Sequence, residues 1–240
     1  MFEIAAVIDY GGRQYNDDRL YTGRAVLSEG QISNRADDDV WTGVCDGVGG
    51  AAFGDEAAQI VAEWMASAQP TDKVEDLLAS AHQRVAESRR KDRAHSRMAT
   101  TIAGLFVHDT NVTVFNIGDS RVYRFRGQNT VQLSQDHTVV AELRAQGIEP
   151  RLDQYHVITR VLGGANPTPF IDTCELEDSD IFMVCSDGIS DVLLPQDISG
   201  VLGTDAALAE KCQKLIEAAT KYGSTDNMSV ILARKRTDNH

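Results

Sequence analysis

The chain has 240 residues, of which 42% are hydrophobic, so it is long enough to bury the core of one large domain. Its 36 Asp and Glu residues outnumber 23 Lys and Arg residues, which gives a net charge of -13 at pH 7. This sign excludes a nucleic acid or an anionic membrane as the expected partner. No apolar run approaches the ~20 residues of a membrane helix, and the first residues lack the basic start of a secretory signal. We expect one domain over residues 1–240, monomeric, cytoplasmic and without direct membrane insertion.

The first part of the chain alternates predicted strands and helices. Two strands and the helix that follows them are predicted at Phe2–Ile8, Val40–Cys45 and about Ala52–Ala68. A second amphipathic helix follows, with Asp72 and Glu75 at capping-box spacing. It ends in the basic run Arg89-Arg90-Lys91, which is typical of a solvated helix end.

From Thr100 onwards the pattern changes to strands separated by short polar turns. The first four are predicted at Thr101–Val107, Val112–Ile117, Arg121–Arg126 and Val131–Leu133, and would form an antiparallel meander. A polar segment at about 138–155 carries one short helix, Val139–Gln146, and has too little apolar surface for the core, so we expect a mobile flap. The later predicted elements are strands at Ile158–Leu162, Phe170–Leu176, Ile181–Cys185 and Met228–Ala233, and a helix from about Asp205 to Lys221.

These elements favour an α+β fold over a doubly wound parallel sheet. Short turns between strands give antiparallel pairing, and each of three amphipathic helices must cover the face of a sheet. The pattern therefore predicts a four-layer αββα sandwich, in which two mainly antiparallel sheets are flanked by helices.

Three apolar runs are each predicted to end in a turn that contains Asp. These turns are Asp46-Gly47-Val48-Gly49-Gly50, Ser186-Asp187-Gly188 and Ser224-Thr225-Asp226-Asn227. Several carboxylates at the ends of buried strands would repel one another unless cations bind between them, and Mg²⁺ or Mn²⁺ suits such ligands. Each Asp-Gly or Asp-Asn pair taken alone is also simply a common turn. That interpretation weakens for the set, because apolar residues run up to each turn.

Six segments match, in order and over nearly the whole chain, the motifs of a known family. They are Gly12–Asp18, Asp46–Gly50, Ala99–Thr101, Gly118–Arg121, Ser186–Asp191 and Asp226–Asn227. In these segments the chain resembles the metal-dependent Ser/Thr protein phosphatases of the type 2C (PPM) family, in their bacterial form. Each motif is weak alone, and six in order are specific. The αββα sandwich of that family agrees with the predicted layers.

The resemblance implies a centre of two Mn²⁺ or Mg²⁺ ions, with a third and weaker ion. Asp46 would bridge the first two ions. The other implied ligands are Asp187 and Asp226 for one ion, Asp17 and the Gly47 carbonyl for the second, and Asp119 and Asp191 for the third.

The resemblance also implies direct hydrolysis of phosphoserine and phosphothreonine by a water that the two ions activate, without a phosphoenzyme. Arg13 matches the phosphate-binding arginine of the family, and its forked donors suit two oxygens of a phosphomonoester. Asp18 and Asn227 would support the ligands beside them. The implied partners are phosphorylated proteins, as substrates of a Ser/Thr kinase.

The chain departs from the family pattern at two positions that matter for the chemistry. Val48 stands where many eukaryotic members have a His, so Val48 cannot donate the proton to the leaving group. The donor would be either a metal-bound water or His137. The alternative interpretation of His137 is a structural role beside the flap. Asp17 stands where Glu is common, and its shorter side chain predicts that it binds its ion through a water.

Three other functions compete with this one. A cysteine-dependent phosphatase is excluded, because Cys45 and Cys185 are followed after five residues by Ala51 and Asp191 rather than Arg. A calcium-binding structural protein is disfavoured, because no acidic segment has the twelve-residue loop with a terminal Glu. A catalytically silent module that binds phosphoproteins stays as the alternative, although all matched acidic positions are present.

Overall fold

A computed structural model describes residues 1–36, 39–48, 53–108, 110–155, 157–164 and 166–236. The strands in these ranges are β1 Phe2–Asp9, β2 Asp18–Thr22, β3 Ala25–Leu27, β4 Gly30–Ala36, β5 Val40–Asp46, β6 Ile102–His108, β7 Asn111–Ile117, β8 Arg121–Arg126, β9 Asn129–Gln132, β10 Phe170–Glu175, β11 Ile181–Cys185 and β12 Met228–Lys235. The α-helices are α1 Gly54–Ala66, α2 Val74–Lys91, α3 Val139–Ala145, α4 Asp187–Ser190, α5 Pro195–Leu202 and α6 Leu208–Lys221. No helix in the described ranges is both long and apolar enough to cross a bilayer.

The strands form two six-stranded sheets, in which every pair of neighbours is antiparallel. The first sheet has the order β4-β1-β12-β11-β8-β9, and the second has the order β10-β7-β6-β5-β2-β3. Helices α5 and α6 cover the first sheet, while α1 and α2 cover the second. The predicted αββα sandwich of the α+β class is therefore confirmed.

Three layers of apolar side chains hold the four layers of backbone together, and β5 shows how they are built. Trp41 and Cys45 point to the layer under α1 and α2, whereas Val40 and Val44 belong to the layer between the two sheets. Because side chains alternate along a strand, Asp46 follows Val44 on the face between the sheets. The last residue of β5 thus brings a carboxylate to the end of the central layer.

The predicted meander is wrong. The hairpin β6–β7 lies in the second sheet, and the hairpin β8–β9 lies in the first. The connection from Ile117 to Arg121 therefore crosses from one sheet to the other and carries Asp119 over the end of the sandwich. A meander and two separate hairpins have the same strand pattern in sequence, because turn residues do not report which sheet a strand joins.

Several predicted boundaries also differ from the structure. Asp72 does not cap the second helix: its carboxylate accepts from the Gln69 N–H, and Lys73 is at the N-cap. The segment 158–162 forms isolated bridges through Ile158 and Leu162 instead of a strand. Asp226 precedes β12 rather than ending an apolar run. Ala52, the predicted start of the first helix, lies outside the described residues.

Candidate metal centre

One cleft of about 1100 Å³ lies where the ends of the two sheets meet. It is lined by nine of the ten predicted site residues, namely Arg13, Asp17, Asp46, Gly47, Asp119, Asp187, Asp191, Asp226 and Asn227. The tenth, Asp18, is only 1% exposed and lies behind them. The structure therefore brings together residues that the sequence separates by more than 200 positions.

The backbone of Asp46 is held by the paired threonines of the third motif. Its carbonyl accepts from the Thr101 N–H at 2.8 Å and from the Thr100 hydroxyl at 2.8 Å. Its own N–H donates to Thr101 Oγ1 at 3.2 Å. With both backbone groups bonded, the Asp46 carboxylate is directed into the cleft. The threonines matter here for position, a role that the sequence did not indicate.

Gly47 and Gly188 allow chain segments to approach closer than any side chain would permit. A Cβ at Gly47 would lie 2.4 Å from the Gly54 carbonyl carbon and 2.8 Å from the Asp17 oxygen. A Cβ at Gly188 would lie 2.1 Å from the backbone carbonyl oxygen of Asn227. The two glycines thus pack the acidic turns against the segments that carry Asp17 and Asn227. Gly49 and Gly50 of the same motif lie outside the described residues.

Asn227 joins the loop of residues 10–17 to the start of β12. Its side-chain Nδ2 donates to the carbonyls of Tyr10 and Tyr15, at 3.1 and 2.9 Å, and its Oδ1 accepts from the Asp17 N–H at 2.9 Å. Asp18 makes a second link, because its carboxylate accepts from the Ser229 hydroxyl at 2.7 Å. Asp18 belongs to the second sheet and Ser229 to the first, so this bond ties the sheets together beneath the cleft.

The carboxylates in the cleft are crowded and poorly solvated. Burial, followed by repulsion from Asp191 and Asp226, raises the pKa of Asp187 to about 6. Burial, followed by the charge of Asp187, raises the pKa of Asp119 to about 7. The pKa of Asp46 is likewise raised by burial and by Asp187. Burial and the neighbouring carboxylates therefore both disfavour the ionised form of these groups.

A divalent cation would compensate this charge, and the donor set fits one. Asp119 Oδ1 is buried without a hydrogen-bond partner in the described structure, so a ligand position is open there. Carboxylate and carbonyl oxygens are the donors that Mg²⁺ and Mn²⁺ take. Among the described residues, no three His, Cys, Asp or Glu side chains are gathered tightly enough to enclose an ion. The donor types in the cleft, rather than a preformed cage, therefore support a cation here.

Arg13 lies at the rim of the cleft and is paired with a predicted metal ligand. Its guanidinium donates to Asp226 Oδ2 at 2.8 Å, and its side chain is 54% exposed. This bond and the attraction of Asp226 raise the pKa of Arg13. The other oxygen of Asp226 accepts from the Asn227 N–H at 2.8 Å.

No role was predicted for Arg121 and Asp136, which form an ion pair with several hydrogen bonds in the cleft. Arg121 Nε and Nη2 both donate to the Asp136 carboxylate, at 2.6 to 3.0 Å, and Nη1 donates to the Ser190 carbonyl at 2.9 Å. Arg121 Nη2 also lies 4.0 Å from Asp191. It thereby joins the Gly118–Arg121 motif to the motif that contains Asp191. The position of Arg121 inside a matched motif was the available signal.

His137 lies behind the cleft and not in it. It is 2% exposed, and its Nδ1 accepts from the Gly118 N–H at 3.1 Å. Burial, followed by the positive charge of Arg160, lowers its pKa to about 4. The ring is therefore neutral at pH 7 and supports the turn before Asp119. Of the two interpretations of His137, the geometry favours the structural one.

The flap forms one wall of the cleft. Helix α3 is capped by Thr138, whose Oγ1 accepts from the Ala141 N–H at 3.1 Å. Val140 and Ile158 give this wall an apolar surface, and Leu152 at its edge is 90% exposed. The cleft lining thus combines the carboxylates with this apolar surface and with the polar side chains of Arg144 and Tyr155.

Comparison with known proteins places the chain in a family. The family model for protein phosphatase 2C matches residues 28–233. The serine/threonine protein phosphatase PstP of Mycobacterium tuberculosis is 28% identical over 252 residues, covering 97% of this chain but 46% of PstP, so the chain spans about half of that relative.

Two solved structures share the fold. Serine/threonine phosphatase Stp1 from Staphylococcus aureus superposes with a TM-score of 0.86 at 23% identity, covering 99% of this chain and 96% of Stp1. The catalytic domain of PstP in complex with two manganese ions superposes with a TM-score of 0.78 at 25% identity, covering 98% of this chain and 99% of that domain. With residues of five motifs lining one cleft, the sixth motif bonded to the Asp46 backbone, and a family model that matches most of its length, the chain belongs to the protein phosphatase 2C family.

Proposed function

We propose that this protein is a metal-dependent phosphatase that removes phosphate from phosphoserine and phosphothreonine in proteins. The observation that carries the proposal is the convergence of Asp46, Asp119 and Asp187, whose pKa values are raised, with Asp226 in one cleft that has Arg13 at its rim. Family membership and the two manganese ions in the PstP catalytic domain support the same chemistry. The substrates would be proteins phosphorylated by a Ser/Thr kinase.

Different residues in the cleft would bind two central ions, either Mn²⁺ or Mg²⁺, and a third ion. We assign Asp46 as the bridging ligand. The remaining assignments are Asp187 and Asp226 to the first ion, Asp17 and the Gly47 carbonyl to the second, and Asp119 and Asp191 to the third. When bound, the two central ions would supply a water of lowered pKa as the nucleophile and neutralise charge on the phosphoryl group.

The remaining groups bind and orient the substrate. Arg13 would leave Asp226 and donate in parallel to two phosphoryl oxygens, which offsets the charge that grows on them in the transition state. The apolar flap wall at Val140 and Ile158 would shield one side of the phosphate from bulk water. Val48 has no proton to give and His137 is buried behind the cleft, so we assign the donation of this proton to a water.

The test is hydrolysis of p-nitrophenyl phosphate with Mn²⁺ and with EDTA. We expect hydrolysis with Mn²⁺, none with EDTA, and losses of at least 100-fold in kcat for Asp46→Asn and Asp226→Asn. Asp172→Asn, on the exposed surface of β10, is the matched control and should keep full activity. Folded wild-type protein that is inactive with Mn²⁺ would favour the silent phosphoprotein-binding module, and full activity in both cleft variants would contradict the assigned ligands.

A further inference from the structure

The segment from Arg84 to Arg97 is a basic region in an acidic protein. It contains six Lys and Arg residues and two acidic residues, a net charge of +4, while the rest of the chain carries -17. The segment spans the end of α2 and a short 3₁₀ helix, Arg93–Arg97. Arg89 donates to the Ser96 carbonyl and so folds these two pieces into one surface.

Four cations on this surface are exposed and unpaired. Arg90, Lys91, Arg93 and Arg97, here named the basic patch, make no side-chain hydrogen bond or ion pair with any other described residue. Several other arginines are paired with carboxylates, for example Arg13, Arg19, Arg121, Arg126 and Arg234. The acidic residues near the patch are Glu87, Asp92, whose carboxylate accepts from the Ala94 N–H, and Glu56, which lies 3.9 Å from His95.

The basic patch borders the catalytic cleft. Arg97 is two residues before Ala99, whose carbonyl accepts from the N–H of the cleft residue Val48 at 3.1 Å. The Cα atoms of Arg97 and Ala99 are therefore no more than about 7 Å apart. His95, inside the 3₁₀ helix, packs its ring on Phe53 at the start of α1, with 4.3 Å between ring centroids. The patch thus lies beside the part of the cleft lining formed by Asp46, Gly47 and Val48.

We propose that the basic patch binds an acidic segment of the phosphoprotein substrate, several residues from the phosphorylated side chain. This inference rests on the proposed phosphatase function. An extended peptide advances about 3.3 Å per residue, so acidic residues four to seven positions from the phosphate reach roughly 13 to 23 Å. The acidic remainder of the surface repels such a peptide in other orientations, which makes the patch an electrostatic guide. A membrane or a nucleic acid would meet the same repulsion over a far larger area.

The test compares two phosphothreonine peptides that differ only in four Glu or four Gln residues, placed four to seven positions from the phosphothreonine, in versions on either side. For wild-type enzyme at low ionic strength, we expect kcat/KM to be about 5- to 20-fold higher for a Glu peptide than for its Gln counterpart. The variant R90Q/K91Q/R93Q/R97Q should lose this preference and hydrolyse p-nitrophenyl phosphate as fast as wild type. The control R24Q/R35Q/K73Q/K221Q removes the same charge from exposed sites elsewhere and should keep the preference.

Three outcomes would overturn the proposal: a wild-type enzyme without the preference, a patch variant that keeps it, or a control variant that loses it equally. A patch variant that loses binding to anionic vesicles or RNA but keeps the peptide preference would also overturn it. Fluorescence anisotropy with labelled copies of both peptides tests the patch even without turnover, so an inactive enzyme contradicts only the proposed function.

Discussion

At the scale of residues, one amide group organises much of the cleft. Asn227 bonds three backbone groups of the loop at residues 10–17, and this loop carries both Arg13 and Asp17. Its neighbour Asp226 faces the cleft, so a single turn supplies a predicted ligand and fixes the position of others. The adjacent pair of residues was visible in the sequence, but its partners more than 200 positions away were not.

Arg13→Ala tests whether Arg13 binds the phosphoryl group. We expect kcat/KM for p-nitrophenyl phosphate to fall about 10- to 100-fold, because charge-assisted hydrogen bonds contribute about 1.5–3 kcal/mol. Mn²⁺ affinity, measured by calorimetry, should not weaken. Arg13→Lys keeps the positive charge but lacks the forked donors of the guanidinium, so it should recover only part of the lost kcat/KM. A parallel loss of Mn²⁺ affinity in Arg13→Ala would argue against a substrate-binding role.

Gly188→Ala tests the close approach of the Asp187 turn to Asn227. The new Cβ would lie 2.1 Å from the backbone carbonyl oxygen of Asn227. We therefore expect the free energy of unfolding, measured by urea denaturation, to fall by about 1–3 kcal/mol. Gly200→Ala is the matched control, since Gly200 lies within α5 with open space around its Cβ position. There the same change should stabilise by about 0.5–1 kcal/mol. Equal effects at both positions would show that the contact is unimportant.

At the scale of elements, long segments with periodic apolar residues could be predicted from the sequence. The sheet to which each strand belongs could not. The strands β1, β5, β8 and β11 and the three long helices agree with the sequence pattern to within a few residues. The short, polar segments between residues 18 and 36 escaped prediction, as did α5, because they carry little periodic apolar signal. The crossing between β7 and β8 had no local signal, since it depends on packing of distant strands.

Thr138→Ala tests how the flap helix is held. Loss of the N-cap costs about 1 kcal/mol, so amide exchange within α3 should become about five times faster. Thr138→Ser keeps the hydroxyl group and should exchange like wild type. Exchange in α6, at the far side of the first sheet, is the internal reference. Unchanged exchange in α3 of the alanine variant would mean that packing rather than the cap holds the flap.

At the scale of the whole molecule, both sheets contribute carboxylates to one cleft. Asp46 belongs to a strand of the second sheet, whereas Asp187 and Asp226 adjoin strands of the first. The sandwich and the acidic cleft were predictable because hydrophobic periodicity fixes the layers and the matched motifs place the carboxylates. That residues 1–240 act as one monomeric domain stays a prediction.

Saturating Mn²⁺ should raise the melting temperature of the wild-type protein. Binding at 100 times the dissociation constant stabilises by about 2.7 kcal/mol, or roughly 5–10 °C for a chain of this size. In Asp46→Asn this increase in melting temperature should disappear. Without metal, the variant should melt at a higher temperature than wild type, because it lacks the buried Asp46 carboxylate that Asp187 repels. Asp172→Asn should respond to Mn²⁺ like wild type. Differential scanning fluorimetry with EDTA and Mn²⁺ gives all these values.

The ion pair between Arg13 and Asp226 has a consequence for the order of binding. Both oxygens of Asp226 are already bonded, one to Arg13 and one to the Asn227 N–H. An ion that binds Oδ2 of Asp226 would compete with Arg13 for that oxygen, and an Arg13 displaced from it would be free to bind a phosphate. Ion loading and substrate affinity are then reciprocally coupled, so the apparent KM should fall as Mn²⁺ rises and this coupling should vanish in Arg13→Ala. Through this salt bridge, ion binding would prepare Arg13 to bind the substrate.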